Sequence, residues 1–487
     1  MANPPSLIAS VSGIRGIVGE TLTVETALAF ARAFGTRVGG EPVAISRDSR
    51  PSGEMLYEAV AAGLMSTGSD VYFLSINPTP TVGLGVRRME AAGGVQITAS
   101  HNPSEYNGLK LFNRHGSVLA AAEGEEVLRI FRSGQFRTAD WRAAGKVRTA
   151  MVDPMREHIR LVLGQVDHAA IAKRKFRVLL DANHGAGGPL ALMLLATFGC
   201  HPVREGCEPD GAFAHPPEPT EANVAGMALQ VRTEHCDLGL VLDPDADRLA
   251  LIDETGRYIG EELTLGLAVH YRLRQTKGPV VVNMSTSRLI EDLATAHGCT
   301  FLRAPVGEAN VVARMQEAGA VFGGEGNGGV IDPRIGYVRD PFIGAALVLS
   351  LLVETGKKLS ELVAELPRYT IVKDKFTAGP SQLADLYGQL QARWPDAKAN
   401  RDDGLRLDWP DRWVHVRPSN TEPIVRVIAE APEPEAAQRL CREVGAMLAE
   451  AQVQKPKSAG RPVKEKRKAV GRGKAKTVSR KPKVKRK

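Results

Sequence analysis

Six times before residue 450 an apolar, β-rich stretch runs straight into a polar or glycine-rich loop: PVAISRD (42–48), GGVQITASHNP (93–103), RVLLDANHG (177–185), LGLVLDPDADR (238–248), VVVNMSTS (280–287) and AVFGGEGNGG (320–329). Segments of helical period lie between them. This is the pattern of α/β layering, in which ligands gather at the loops beyond the carboxyl ends of strands. One helix face is marked by Met55, Leu56, Ala59, Val60 and Leu64, and another by Leu289, Leu293 and Ala296 ahead of a stop at Gly298; all are expected in cores. Breaks near 141–154, 253–260 and 367–380 divide the chain into units at 1–150, 151–252, 253–366 and 367–450. The last unit is short, mixes strand and helix as an α+β unit, and closes on an amphipathic stretch at 440–448.

Beyond it, residues 451–487 are low-complexity, rich in Lys and Arg and without an aromatic residue, so this tail is expected to be disordered. It explains the net charge of +8: residues 455–487 carry 16 of the 63 bases and one of the 55 acids, leaving 47 bases against 54 acids in the body. The body is therefore acidic. With 43% hydrophobic and 24% charged residues the chain as a whole is near the globular average, which excludes general disorder. Apolar runs such as 345–353 stop well short of the ~20 residues of a membrane span, and the N-terminal residues lack a signal pattern, so the protein reads as cytoplasmic. Five scattered cysteines without a C-x-x-C pair encode neither a disulfide framework nor a zinc cage.

Four loops can carry chemistry. In LDPDADR, Asp243, Asp245 and Asp247 alternate directly after an apolar strand, a spacing suited to a hard divalent cation, which wants oxygen ligands and offsets the mutual repulsion of three anions. A solvated acidic turn is the plain alternative. An EF-hand loop is disfavoured because Arg248 stands where glycine is needed and a strand flanks the motif. A phosphatase of the haloacid dehalogenase type, with Asp243 as nucleophile, is a second rival, but it leaves the other loops idle. In TASHNP (98–103), Ser100 on a tight turn with His101, Asn102 and Lys110 near it can carry a phosphoryl group, or simply cap the turn. In GGEGNGGV (323–330), glycines around Glu325 and Asn327 allow close approach to vicinal hydroxyls, or form a structural turn. In VRPSNTEPIVRV (416–427), Arg417, Ser419, Asn420, Thr421 and Arg426 suit an oxyanion such as phosphate. Arg15 in SGIRG, and Arg47 and Arg50 in SRDSRPSG, fit either a site or surface turns.

In this order, SGIRG, TASHNP, DPDADR, GEGNGG and RPSNTEP resemble the α-D-phosphohexomutase superfamily over residues 8–448. The resemblance implies four domains around a cleft: three similar α/β/α domains carrying in turn the phosphoserine, metal and sugar loops, and a smaller fourth domain with the phosphate loop. It implies Ser100 as phosphoserine and one Mg²⁺ held by Asp243, Asp245, Asp247 and the phosphate on Ser100. Arg15 and Arg248 would neutralise the phosphoryl group in transit, with Lys110 and His101 as proton-transfer candidates. Glu325 and Asn327 would meet the sugar, while Arg417, Ser419, Asn420, Thr421 and Arg426 grip the phosphate that is not reacting. The implied reaction moves phosphate between O1 and O6 of a hexose through a bisphosphorylated sugar, with hexose 1,6-bisphosphate as activator. Many relatives read GE-x-S-G-H at the third loop; here Asn327 and Gly329 replace the Ser and His, so the general base is left open. GEGNGG with APVGEANV (304–311) is similar to the archaeal-type phosphoglucosamine mutase branch. That favours glucosamine 6-phosphate to glucosamine 1-phosphate, with phosphoglucomutase or phosphomannomutase activity as the alternative. A protein led by its basic tail, binding polyanions weakly and in a salt-dependent way, is the non-enzymatic alternative.

Overall fold

The computed structural model describes residues 7–150, 152–377, 380–418 and 424–453. Ser419, Asn420, Thr421 and the basic tail from 454 onward lie outside the described residues, and with them the expectation of disorder there. Its final helix, Pro434–Val453, runs into the start of the stretch read as tail.

The described strands form four sheets. The first contains β1 (Ile8–Ser10), β2 (Gly13–Ile17), β3 (Val43–Arg47), β4 (Val71–Ile76), β5 (Gly93–Ile97), β6 (Tyr106–Asn113) and β7 (Val147–Arg148), in the order β1-β2-β6-β5-β3-β4-β7. The second contains β8 (Arg177–Asp181), β9 (His201–Glu205), β10 (Leu238–Leu242) and β11 (Leu249–Asp253), ordered β11-β10-β8-β9. The third contains β12 (Val280–Asn283), β13 (Phe301–Ala304), β14 (Phe322–Glu325) and β15 (Gly329–Ile331), ordered β15-β14-β12-β13. The same unit is present three times. In β3–β6, β8–β11 and β12–β15, three parallel strands joined by two helices are followed by a fourth, antiparallel strand that turns back beside the third. The loops TASHNP, DPDADR and GEGNGG all occupy that final turn.

The fourth sheet is antiparallel throughout: β16 (Thr370–Phe376), β17 (Lys398–Asn400), β18 (Leu405–Asp408), β19 (Trp413–Pro418) and β20 (Val425–Ala431), ordered β16-β20-β19-β18-β17. Its residues alternate between faces. Leu405, Leu407, Val414, Val416, Val425 and Val427 pack under the helices Pro380–Arg393 and Pro434–Val453, leaving Arg406, His415, Arg417 and Glu430 on the other side. This is the three α/β/α domains plus a smaller α+β domain that the loops implied.

Packing explains two departures from the expected stripes. Helix Gly53–Met65 buries Leu56, Val60 and Leu64, but Met55 lies off that face and is 45% exposed. Helix Leu289–Ala296 buries Leu289, Ile290, Leu293 and Ala294, so Ala296 points outward. The apolar run at 345–353 belongs to helix Pro341–Thr355, buried along Pro341–Leu352 because sheets flank it. Its Phe342, Ala345 and Leu349 meet Leu180, Leu240, Leu242 and Leu249 of the second sheet, so domains II and III share one core. An all-round apolar helix is what such a central position demands. Among the described residues, no helix is long and apolar enough to cross a membrane. Domain IV docks on domain III through polar contacts instead: Arg288 N to Glu430 Oε1 (2.8 Å), Arg288 to the Trp409 carbonyl (3.1 Å), Ser285 with His415 (3.0 Å) and Val306 N to Asp403 Oδ2 (2.9 Å).

Candidate active site

Ser100 opens the turn from β5 to β6 in a left-handed conformation, φ 52°, uncommon for a residue with a side chain. Fixed partners hold it there. Its N–H donates to Thr98 Oγ1 (2.8 Å), and Thr98 donates to Asp48 Oδ2 (2.7 Å). Arg50 is fully buried and spends all five of its N–H donors on this loop and its support: Nε on Asp48, and the two terminal nitrogens on the carbonyls of Ser100, Asn102, Pro103 and Tyr106, at 2.6–3.1 Å. Of the two readings open for SRDSRPSG, a site or a surface turn, Arg50 therefore belongs with the site, as scaffold. Phe213 of domain II lies against its guanidinium, 5.0 Å from the ring centre. So held, Ser100 Oγ lies 3.2 Å from Asp243 Oδ2 and 3.2 Å from His101 Nδ1, and Arg15 donates to Asn102 Oδ1 at 2.5 Å. Arg248, burial and Arg15 together push His101 down to about 2, which keeps the ring neutral.

Asp243, Asp245 and Asp247 are fully buried, with one carboxylate oxygen from each inside a 4.8 Å cluster. Among the described residues no other group of three His, Cys, Asp or Glu side chains converges in this way. Ala246 at φ 47° bends the loop so that the N–H groups of Asp247 and Arg248 donate to Asp243 Oδ1 (3.1 and 3.0 Å). Thr79 holds Asp245 Oδ2 (2.6 Å), and Lys110 and Arg339 hold Asp247 Oδ2 (2.7 and 2.5 Å). Asp245 Oδ1 and Asp247 Oδ1 are buried and accept no hydrogen bond. Orphaned carboxylate oxygens inside a tight acidic cluster are what a hard cation would satisfy, so the residues fit Mg²⁺. Burial, with Asp245 and Asp247 adding to it, pushes Asp243 well above the usual carboxylate range. Burial acts the same way on Asp247, but Arg339, Lys110 and Arg248 outweigh it and hold that carboxyl low. Arg248 Nε lies 4.0 Å from Asp243 and 3.9 Å from Asp247.

Glu325 ends β14 and is 5% exposed. Asn283 Nδ2 (2.8 Å) and Gly307 N (3.2 Å) donate to its Oε1, and Arg339 to its Oε2 (3.1 Å). Asn327 is partly exposed and accepts from Gly329 N (3.2 Å). The Leu249 N–H donates to the Gly328 carbonyl (3.2 Å), which stitches the third loop to the strand that follows the metal loop. A Cβ on Gly326 would fall 2.0 Å from Glu262 Oε1, so a side chain there would have to displace the Glu262 carboxyl.

Glu262 borders a cavity of about 430 Å³ at the junction with domain IV, together with Glu261, Ser287, Tyr369 and Glu430. Burial pushes Glu262 up to about 8, with Glu430 and Glu261 adding to it against the Ser287 N–H bond and Lys373. Between about pH 5 and 8 the folded state therefore keeps a proton that the unfolded chain has released, and stability falls as pH rises through that window. Glu262→Gln is expected to remove this term. The melting temperatures of variant and wild type should coincide near pH 4.5, diverge in the variant's favour with rising pH, and level off above 8; a gap that does not change with pH would refute it.

Arg417 on β19 and Arg426 on β20 are cross-strand partners flanking the fourth loop, and Lys375 on β16 is opposite Arg426 in turn. Opposed residues share a face, so this row of cations repels itself unless anions meet it. Asp403 meets Arg417 at 2.9 Å and also accepts from Val306 N, linking the row to the loop that binds Glu325. The structure thus brings Ser100, His101, Lys110, Arg248, the three aspartates and Glu325 together, with Arg15 bound to the serine loop and Arg417 joined through Asp403. Arg50 follows the first of the six strand ends, so the same strand-end rule that marks Ser100 also reaches it. Thr79, Arg339 and Asp403 carry no such signal.

Such a frame, three like domains aiming serine, acidic and glycine-rich loops at one point and a fourth bringing cations, defines a phosphohexomutase. Models of the phosphoglucomutase/phosphomannomutase family match all four parts: α/β/α domain I at 7–138, domain II at 156–256, domain III at 261–369 and the C-terminal domain at 370–446. A phosphoglucomutase/phosphomannomutase of Thermococcus kodakarensis is 38% identical over 454 residues, covering 90% of this chain and 97% of its own. A probable phosphoglucosamine mutase of Methanopyrus kandleri is 36% identical, covering 88% and 95%. The crystal structure of a family protein from Burkholderia thailandensis superposes with a TM-score of 0.80 at 26% identity, covering 91% and 97%. The chain belongs to the phosphoglucomutase/phosphomannomutase family and, with it, to the isomerases that act as phosphohexomutases.

Proposed function

We propose that this enzyme interconverts glucosamine 6-phosphate and glucosamine 1-phosphate through a phosphoserine at Ser100. The observation that carries this is the placement of Ser100 Oγ, 3.2 Å from the acidic cluster, on a loop held by the buried side chains of Asp48, Arg50 and Thr98. In the first half-reaction the O1 hydroxyl of the 6-phosphate attacks the phosphorus on Ser100. The bond to Oγ breaks, the hydroxyl proton passes to a base on the attacking side and Oγ takes up a proton; Lys110 and His101 are the nearest groups for these transfers. The resulting 1,6-bisphosphate turns over in the cleft, and Ser100 Oγ then takes the phosphate from O6. Hexose 1,6-bisphosphate acts as activator by phosphorylating Ser100. Phosphoryl transfer depends mostly on positioning and on charge stabilisation, which Arg15 and Arg248 provide from either side of the loops. Lys110 stays charged: burial opposes this, but Asp247, Glu308 and Asp245 raise it above its usual value, so it serves as a donor. Glu325 and Asn327 receive the sugar hydroxyls, and Arg417 and Arg426, with Ser419, Asn420 and Thr421, take the distal phosphate. Domains are read at 1–150, 151–252, 253–366 and 367–450.

One Mg²⁺ would be held by Asp243, Asp245, Asp247 and the phosphate on Ser100, and when bound it supplies charge neutralisation at the transferring phosphoryl group. Chelation is therefore expected to abolish turnover. Asp245→Asn should weaken Mg²⁺ binding by roughly tenfold or more, measured by calorimetric titration, with sugar-phosphate binding much less affected. Equal Mg²⁺ affinity in the two proteins would contradict the assignment.

Glucosamine is favoured by the GEGNGG and APVGEANV loops and by the Methanopyrus relative; the Thermococcus relative supports a second reading, glucose and mannose phosphates. A coupled assay against glucosamine, N-acetylglucosamine, glucose and mannose 6-phosphates, primed with bisphosphate, decides. Highest kcat/KM on glucosamine 6-phosphate supports the proposal, and preference for glucose or mannose moves it to the second reading. A dehalogenase-type phosphatase with Asp243 as nucleophile is less well supported, since Asp243 Oδ1 is held by two backbone N–H groups and Oδ2 faces Ser100. The tail is proposed to make weak polyanion contacts, so removing 455–487 should leave mutase activity intact.

A further inference from the structure

Arg339 is 7% exposed and stands where the metal loop and the sugar loop meet. One terminal nitrogen donates to Asp247 Oδ2 at 2.5 Å, the other to Glu325 Oε2 at 3.1 Å, and Nε lies 3.3 Å from Glu308 Oε2. Its backbone is fixed from both sides. The Arg339 N–H donates to Glu308 Oε1 (3.0 Å), and the next residue, Asp340, donates to the Val330 carbonyl (2.7 Å) and caps helix Pro341–Thr355. Asp340 Oδ2 also lies 2.8 Å from His158, whose other ring nitrogen is 3.0 Å from Thr81 of domain I.

To reach Glu325, the Arg339 stem crosses the face of the β14–β15 hairpin. Gly329 is the cross-strand partner of Glu325, so any side chain at 329 would rise on that same face. A Cβ on Gly329 would fall 2.3 Å from Arg339 Cδ, 2.9 Å from its Cγ and 2.9 Å from Asn327 Oδ1, the last being the end of a side chain that can turn away. The lane that Arg339 uses exists because residue 329 has no side chain.

We propose that Arg339 is a positioning residue that holds Glu325 and Asp247 at a fixed separation, and that Gly329 and Arg339 act as one coupled pair. This rests on the mutase reading for what the two carboxylates do, but the pairing itself does not. A planar guanidinium can present donors to two carboxylates at once, whereas an ammonium is a point charge on a flexible stem. A residue at 329 with a side chain would force Arg339 out of the lane and separate the two loops, so a family member with a larger residue there needs a different means of fixing its sugar carboxylate.

Two measurements test this on the full-length protein. Arg339→Lys keeps the charge and most of the stem but can serve only one of the two loops. Its kcat/KM is expected to fall roughly a hundredfold, the scale of a misplacement of about 1 Å, through both a higher KM for sugar phosphate and a lower kcat, with the melting temperature nearly retained. Wild-type kcat/KM in this variant would overturn the positioning role. The second measurement is a thermal cycle: Gly329→Ala should lower the melting temperature in the wild-type background and lower it much less in Arg339→Ala, where Cγ and Cδ are gone and only the Asn327 side chain has to shift. An equal loss in both backgrounds overturns the pairing, whatever reaction the enzyme runs. Coupling in that cycle alongside a wild type inactive on all four sugar phosphates would instead overturn the mutase reading and leave the pair standing. Should Arg339→Ala not fold, Gly329→Ala alone still decides, because it leaves every charge in place: kcat/KM equal to wild type overturns the pair.

Discussion

Ser100→Ala is expected to reduce mutase turnover by roughly 10⁴-fold or more, the scale on which enzymes lose rate when a covalent nucleophile is removed. Little else should change. The Ser100 side chain supports no packing, and its loop is held by backbone contacts to Arg50 and Thr98 that alanine retains. The substitution does replace a hydroxyl at φ 52° by a methyl, at a cost common to both side chains since each carries a Cβ. The melting temperature should therefore stay within a few degrees while intact mass loses any phosphate at the peptide containing TASHNP. A dehalogenase-type phosphatase predicts the opposite, phosphate release undiminished in Ser100→Ala and abolished in Asp243→Ala. Retention of mutase turnover in Ser100→Ala would end the phosphoserine mechanism.

The second large effect is expected at Arg50, which touches no substrate. Lysine at this position has three donors at one point and cannot serve Asp48 and four separate carbonyls, so at least two of the five acceptors lose their partner. The turn that presents Ser100 then relaxes from its left-handed conformation, and Oγ loses its fixed distance to Asp243. On the proposed mutase reading, which assigns the sugar and the distal phosphate to other loops, we expect Arg50→Lys to lower kcat by roughly a hundredfold while KM changes little. Phosphorylation of Ser100 by added bisphosphate should slow in parallel. A variant with unchanged kcat, or one whose loss lies wholly in KM, would show that Arg50 does not position the serine. Removing the charge outright is a poorer test, since it strands the buried Asp48 carboxylate at a cost of about 3–5 kcal/mol.

The difference between Ser100 and Arg50 also shows what could be read in advance. TASHNP, DPDADR and GEGNGG were legible because each gathers its chemical groups within a few residues of a strand's end, where periodicity breaks and apolar character stops. The α/β layering was legible for the same reason. The supports act across distance in the chain: Arg50 reaches Ser100 over 50 positions, Arg339 reaches Asp247 over 92, and Thr79 reaches Asp245 over 166. Arg50 was marked by its strand end but not its partner, and Arg339 and Thr79 carry no mark of either. Met55 and Ala296 were misplaced because a helix stripe is broad, and only the neighbouring sheet and helices decide which flank of it is covered.

Domains II and III share an apolar core through helix Pro341–Thr355, whereas domain IV touches domain III through a handful of hydrogen bonds and an ion-pair relay. Water can replace hydrogen bonds one by one, but a shared core opens all at once. Domain IV and the joined domains II and III should therefore open as separate cooperative units with unequal free energies. Amides of β17 to β20 should exchange with deuterium sooner than those of β8 to β15, and a phosphate held on Arg417 should slow the first set alone. On the proposed mutase reading, opening of domain IV alone would give a bisphosphate room to tumble while the serine, acidic and glycine-rich loops stay assembled.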